Sequence, residues 1–251
     1  TGNVTIADGT LTVNSVGGLI DFEGSILGTS DEVLVLNANA GSNNASTNEK
    51  VITAVIGSGD QIHSVSITGR DGITLEGNIT TSDKASNNAT FTGPVSINAA
   101  TVAIDTDATG NDGTITFSST IDSASGTSRN LDIVSATGNV TVTGAIGATT
   151  ALATLDINQG GGDGDITLTS NIGADASNPG VTGVTRIGNA ATADLNLNGT
   201  VYTTDDATTY ASAGTDLGGS SPTFTTSADT ITFTGNVTIA DGTLTVNSVG
   251  G

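Results

Sequence analysis

Residues 166–172 read ITLTSNI, and the same seven-residue grammar recurs along the chain. Its order is an aliphatic residue, a polar one, a second apolar one, any residue, Gly or Ser, a small residue, and an aliphatic again. The copies are IDFEGSI from Ile20, ITLEGNI from Ile73, ITFSSTI from Ile115, VTVTGAI from Val140, ITLTSNI from Ile166, LNLNGTV from Leu195 and ITFTGNV from Ile231. Side chains alternate faces along a strand, so positions one and three point the same way and position two points the other. The Gly or Ser at position five marks a corner, where a larger side chain would crowd the turn.

The starts of successive copies are separated by 53, 42, 25, 26, 29 and 36 positions. Between them lie further short alternating segments, such as Leu131-Asp132-Ile133, Leu155-Asp156-Ile157 and Val65-Ser66-Ile67, bounded by Gly, Asp, Asn or Ser that supply turns. A three-residue strand cannot sustain a sheet by itself. Three of them, recurring at the shorter of these spacings, make one coil of a parallel β-helix, each coil pairing with the next. The expected fold is therefore all-β, a right-handed parallel β-helix of about eight or nine coils per repeat unit and roughly 40 Å of axial rise. Position three should form one interior column: Phe22, Leu75, Phe117, Val142, Leu168, Leu197 and Phe233. The 53-residue interval hides one coil, and the 36- and 42-residue intervals carry loop insertions. No stretch has a 3.6-residue apolar period, so helices should be almost absent; residues 37–50, NANAGSNNASTNEK, read as a polar surface loop.

A longer repeat encloses the short one. Residues 1–18 and 234–251 carry the same eighteen letters, TGNVTIADGTLTVNSVGG. Identity over that length implies a tandem array of period 233, with residues 1–233 as one unit and 234–251 as the start of the next. With no Met in the chain, the first residue is not a translation start, which implies an internal piece of such an array.

Composition points the same way. The 251 residues include 35 Gly, five Phe, two Tyr and no Cys, Met or Trp, so a core must be assembled from Ile, Val and Leu. Five basic residues against twenty-five acidic ones give a net charge of −20, which repels nucleic acid and anionic membranes. Without cysteine there are no disulfides and no thiolate metal site. No apolar run approaches the 18 to 20 residues, roughly, that span a bilayer.

Segments 139–147 (NVTVTGAIG), 154–168 (TLDINQGGGDGDITL) and 164–173 (GDITLTSNIG) are similar to the coils of filamentous-haemagglutinin-like and other β-strand-repeat surface proteins of bacteria. That resemblance implies export, an extracellular or cell-surface location, and roles in adhesion, filament formation or armour. It supplies no catalytic residue.

Candidate chemistry is sparse. His63 is the only histidine and reads as an exposed strand residue between Ile62 and Val65. The carboxylate pairs Asp105/Asp107, Asp163/Asp165, Asp205/Asp206 and Asp31/Glu32 have the residue type for acid–base work on a sugar. A polysaccharide-active β-helix also needs basic residues on adjacent coils, and Lys50, Lys84, Arg70, Arg129 and Arg186 are dispersed. No catalytic or cofactor-binding residue is expected. Calcium is the one ion left open: Asp163 and Asp165 lie in GGGDGD (160–165), and Asp105 and Asp107 in another acidic turn, against the plainer reading of Asp bonding its own turn. Outward Thr-x-Thr pairs (Thr141/Thr143, Thr167/Thr169, Thr232/Thr234) occur in three of seven copies, too few for an ice-binding lattice. Sequons at Asn3, Asn44, Asn78, Asn88, Asn139, Asn198 and Asn236 are what an Asn- and Thr-rich chain contains without purpose.

The expected function is structural: a stiff acidic fibre or sheath on the cell surface whose first partner is itself, end to end and in lateral bundles. The alternative is the stalk of a large adhesin that reaches glycans or neighbouring cells, and a polysaccharide-active enzyme stands well behind both.

Overall fold

The computed structural model describes residues 2–29, 31–39, 48–107, 110–175, 177–227 and 229–248. Among them there is no helix, and every pair of named strands is parallel. Most strands are short because the sequence alternates only briefly before a Gly, Asn or Asp turn. The burial of Asn130–Val134 and of Val33–Asn37 alternates with that pattern, Leu131, Ile133, Leu34 and Leu36 being inside.

The strands form three faces of one coil, visited in the same order at every turn. On the first face an inward file runs Val13, Leu36, Ile67, Phe91, Phe117, Val142, Leu168, Leu197, Leu217, Ile239. On the second it runs Ile20, Val51, Ile73, Val95, Ile121, Ile146, Ile172, Tyr202, Phe224, Val246. On the third it runs Val4, Ile26, Ile56, Ile79, Ile104, Ile133, Ile157, Ile187, Tyr210, Phe233. Among the described residues each face thus has ten rungs, and the chain is a β-solenoid with one continuous core. Coils differ in length: measured on the first face, the shortest runs from Leu197 to Leu217 and the longest from Leu36 to Ile67.

Stacking like on like is what holds it. Leu36, Ile67, Phe91 and Phe117 are all fully buried, and each such side chain contributes roughly 1.5–3 kcal/mol of transfer free energy. The few rings are stacked on one another: Phe91 on Phe117 with centroids 4.7 Å apart, Tyr202 on Phe224 at 4.6 Å, and Tyr210 on Phe233 at 5.1 Å. Tyr202 meets Tyr210 edge-on at 6.3 Å, which joins the second and third faces inside the last coils.

The expected single column is corrected. Phe117, Val142, Leu168 and Leu197 do share the first face. Phe22 and Leu75 lie on the second, with Thr53 between them, and Phe233 lies on the third. The seven-residue grammar encodes a corner and not a particular face. IDFEGSI and ITLEGNI turn from the second face to the third, the four copies from Ile115 to Leu195 turn from the first to the second, and ITFTGNV turns from the third to the first. All three corners make the same demand, so one grammar serves them all. At Gly144 an added Cβ would overlap the Ser119 carbonyl carbon of the coil before. Gly235, at a different corner, would overlap the Ser212 carbonyl and also has φ +93°.

The 53-residue interval hides one coil, built on Lys50–Thr53, as expected. The 42- and 36-residue intervals differ: each holds a whole further coil and then a shift of face, through Val95–Ile97 and Gly214–Leu217, in place of a loop insertion. Most of the 37–50 loop lies outside the described residues.

Candidate functional surface

The interior is filled, so chemistry is confined to the outer edges of the coils. The turns there do more than bend. Asn and Asp side chains reach one coil onward and accept hydrogen bonds from main-chain N–H groups that the strand ladders leave free. Asn78 Oδ1 accepts from Ala103 (2.9 Å), Asn88 Oδ1 from Thr114 (2.8 Å), and Asn139 Oδ1 from Asp165 (2.9 Å). Asn171 Oδ1 accepts from both Thr200 and Val201, and Asp122 Oδ1 from both Thr149 and Thr150. Each bond crosses from a coil to its successor, so the corners are clamped as well as the strands. A bond of this kind nets about 1 kcal/mol, rather more when a carboxylate accepts.

This revises the plain reading of acidic turns. Asp107 N–H does bond Asp105 Oδ1 within its own turn (2.9 Å), and Ser177 N–H bonds Asp175 Oδ1 (2.7 Å). Asp165 Oδ1 instead accepts from Asp194 of the next coil (3.2 Å), while Asp112 Oδ2 takes both the amide and the hydroxyl of Thr137.

The calcium candidates are not drawn together. Asp105 and Asp107 are neighbours at one corner, whereas Asp163 is exposed and Asp165 is engaged with Asp194. Among the described residues no three His, Asp or Glu side chains converge as a metal site would require. Two glycines of GGGDGD answer a packing demand. A Cβ on Gly162 would overlap the Ala136 main chain, and one on Gly164 would overlap the Gly138 carbonyl, so at these two positions the coil lies directly on the one before.

Acidic side chains also stack in files. Asp132 and Asp156 are register partners on the outside of the third face, with Arg186 next above Asp156. Burial, then the charges of Asp156 and Asp105, raise the Asp132 carboxyl above its usual range. Asp105 is raised by burial, which outweighs the hydrogen bond from the Asp107 amide, and Asp107 is raised by burial and by Asp112. Glu32 behaves oppositely. Its burial pushes the pKa up, but the Thr29 hydroxyl and the amides of Thr29, Glu32 and Asp31 outweigh that and bring it to about 2. Its sequence neighbour Asp31 pairs away from it, with Lys84 two coils on (2.7 Å), so the two carboxylates do not face each other. Asp206 Oδ1 is held by the Ala207 amide.

Two arginines serve the same stapling role. Arg70 reaches Glu49 (2.9 Å), whose side chain is fully buried, and Arg186 reaches Asp156 one coil back (3.1 Å). His63, expected to be exposed, is half-buried, and its Nε2–H donates to the Ala85 carbonyl of the following coil (2.9 Å). A shallow depression of about 310 Å³ lies between Lys50, Asp71, Pro94 and Asp122. Asp71 there is held below its usual range by the Glu49 amide and by Arg70, the opposite of what a general acid needs.

Of the sequon residues, Asn78, Asn88 and Asn139 have their Oδ1 atoms committed to these clamps, and Asn3 accepts from Ser25. Asn44 lies outside the described residues. The chain matches no known family model, no curated protein and no solved structure.

Proposed function

We propose that this chain is the rod of an extracellular structural polymer, a fibre or sheath on a cell surface. The observation that carries the reading is the union of two repeats: ten unbroken rungs on every face, and an eighteen-residue opening whose sequence returns at residue 234. A solenoid of this kind grows by adding coils, because the last rung is a template for the next. Stiffness comes from the strand ladders, the stacked aliphatic files and the corner clamps acting in parallel along one axis. An adhesin stalk would use the same mechanics, with glycans or neighbouring cells bound elsewhere in the protein.

The charge suits a free-standing polymer. The whole chain carries −20, and the second copy of the opening, 234–251, contributes one of those charges through Asp241, which leaves −19 for the unit 1–233. Spread over about nine coils at a rise of ~4.8 Å each, that is about one net charge per 2.3 Å, against the ~1.7 Å spacing of duplex DNA. Rods of such density repel one another in low salt and come together when cations screen them.

Chains of one, two and three units, viewed by negative stain, test the reading. It expects unbranched rods of constant width that lengthen by about 45 Å per unit. Compact beads joined by bends would refute it. Bundling on addition of a millimolar divalent cation, reversed by chelator, is the expected lateral behaviour.

A further inference from the structure

The eighteen-residue segment occurs twice in this structure, and its two copies do not occupy equivalent places. Val4 stands at the foot of the third-face file, which climbs without a break to Phe233. Val237, the counterpart of Val4, is on the first face, paired with Thr215. Val13 is on the first face, paired with Leu36, whereas its counterpart Val246 is on the second, paired with Phe224. The turn between the two strands is nonetheless the same: Gly9 has φ +75° and Gly242 φ +80°. One sequence makes one turn at two different corners.

From Val4 to Phe233 the chain completes nine turns, and Val237 lies one face further on. We propose that the tandem unit contains nine and one-third turns, so that each unit in an array is rotated by a third of a turn about the rod axis relative to the one before. This inference rests on the fibre reading and gives it a symmetry. The three faces are interchangeable for this sequence, as the seven-residue grammar already demonstrates by turning all three kinds of corner. The edge that receives the next unit is the uncovered last rung. Ile239 is 41% exposed there, whereas its counterpart Ile6, covered by Leu27 of the following coil, is 7% exposed.

Every surface feature, including the Asp132–Asp156 file and the Lys50–Asp122 depression, then points in three directions in turn. It returns to the same side after three units, about 28 coils, or about 135 Å. A partner lying along one side of the rod meets a given feature at that spacing, and a bundle of rods presents each feature to neighbours on all sides.

The test uses a six-unit chain with Ser125→Cys in each unit. Ser125 is exposed, and the chain has no other cysteine to compete for the label. Maleimide-gold and electron tomography are expected to place successive labels on three sides, with the same side recurring at every third unit. Helical reconstruction of the unlabelled rod is expected to give a rise of about 45 Å with a rotation of about 120°. Rods whose labels all fall on one side, or a reconstruction with no rotation between units, overturn the inference while leaving the fibre intact. Failure to form rods at all sinks the fibre reading and this inference together.

Discussion

The files make a quantitative prediction that separates this fold from a looser stack of the same coils. Phe91 and Phe117 are adjacent rungs of the first face, both fully buried, with rings 4.7 Å apart and nearly parallel at 13°. Phe117→Ala removes a buried ring and leaves a cavity between Phe91 and Val142, a loss of about 3–5 kcal/mol. Phe91→Ala carries a similar loss. Because the two share one stack, the double variant should lose less than both together, by a coupling of about 1 kcal/mol. Leu75 is the control. The seven-residue grammar alone would place it next to Phe117, but it stands on the second face two rungs away, between Thr53 and Ile97. The Leu75→Ala/Phe117→Ala cycle should therefore close to within about 0.5 kcal/mol. Urea unfolding, with hydrogen exchange to localise the damage, measures both cycles, since solenoid coils respond mainly to their nearest neighbours. Coupling between Leu75 and Phe117 equal to or larger than that between Phe91 and Phe117 would refute the assignment of faces.

Three other outcomes follow from particular sites. Gly144→Ala puts a Cβ into the Ser119 main chain and should cost about 2–3 kcal/mol, against about 1 for Gly126→Ala, where φ is +90° but space is open; thermal melts of both variants check this. Thr53 is fully buried with no hydrogen-bond partner for its hydroxyl, so Thr53→Val should stabilise by about 1 kcal/mol in urea titration. Stability should also peak in mild acid. Asp105, Asp107 and Asp132 are raised, so they take up protons in the folded chain first, and stability grows as pH falls from neutral. Glu32 is depressed from an ordinary 4.5 to about 2, so its contribution, complete above 4.5, drains away between those values. A urea midpoint that declines steadily from pH 7 to 4 would contradict this balance.

The coil is legible in the letters, and the face is not. The alternation in Ile166–Leu168 and the Gly or Ser that follows dictate a short strand and a corner, and their near-regular recurrence from Ile115 through Val140 and Ile166 to Leu195 dictates coils. What the letters do not carry is which face a strand occupies. Ile73 and Ile115 begin the same pattern on different faces, because each side of the coil buries one row of aliphatic residues and each corner needs a small one. The corner clamps were hidden for a related reason. An Asn or Asp in a turn can bond its own backbone, as Asp105 does, or the next coil, as Asn139 does, and local sequence is the same for both. His63 and Glu49 were unreadable because their partners, Ala85 and Arg70, lie a coil away.

The central claim is that one unit runs into the next as a single rod, with its strands perpendicular to the axis. Small-angle scattering from chains of one, two and three units tests it most directly. The expected result is a cross-section that does not change while the length grows by about 45 Å with each unit added. Growth in which the cross-section thickens, or in which overall size rises like that of a jointed chain, would contradict it.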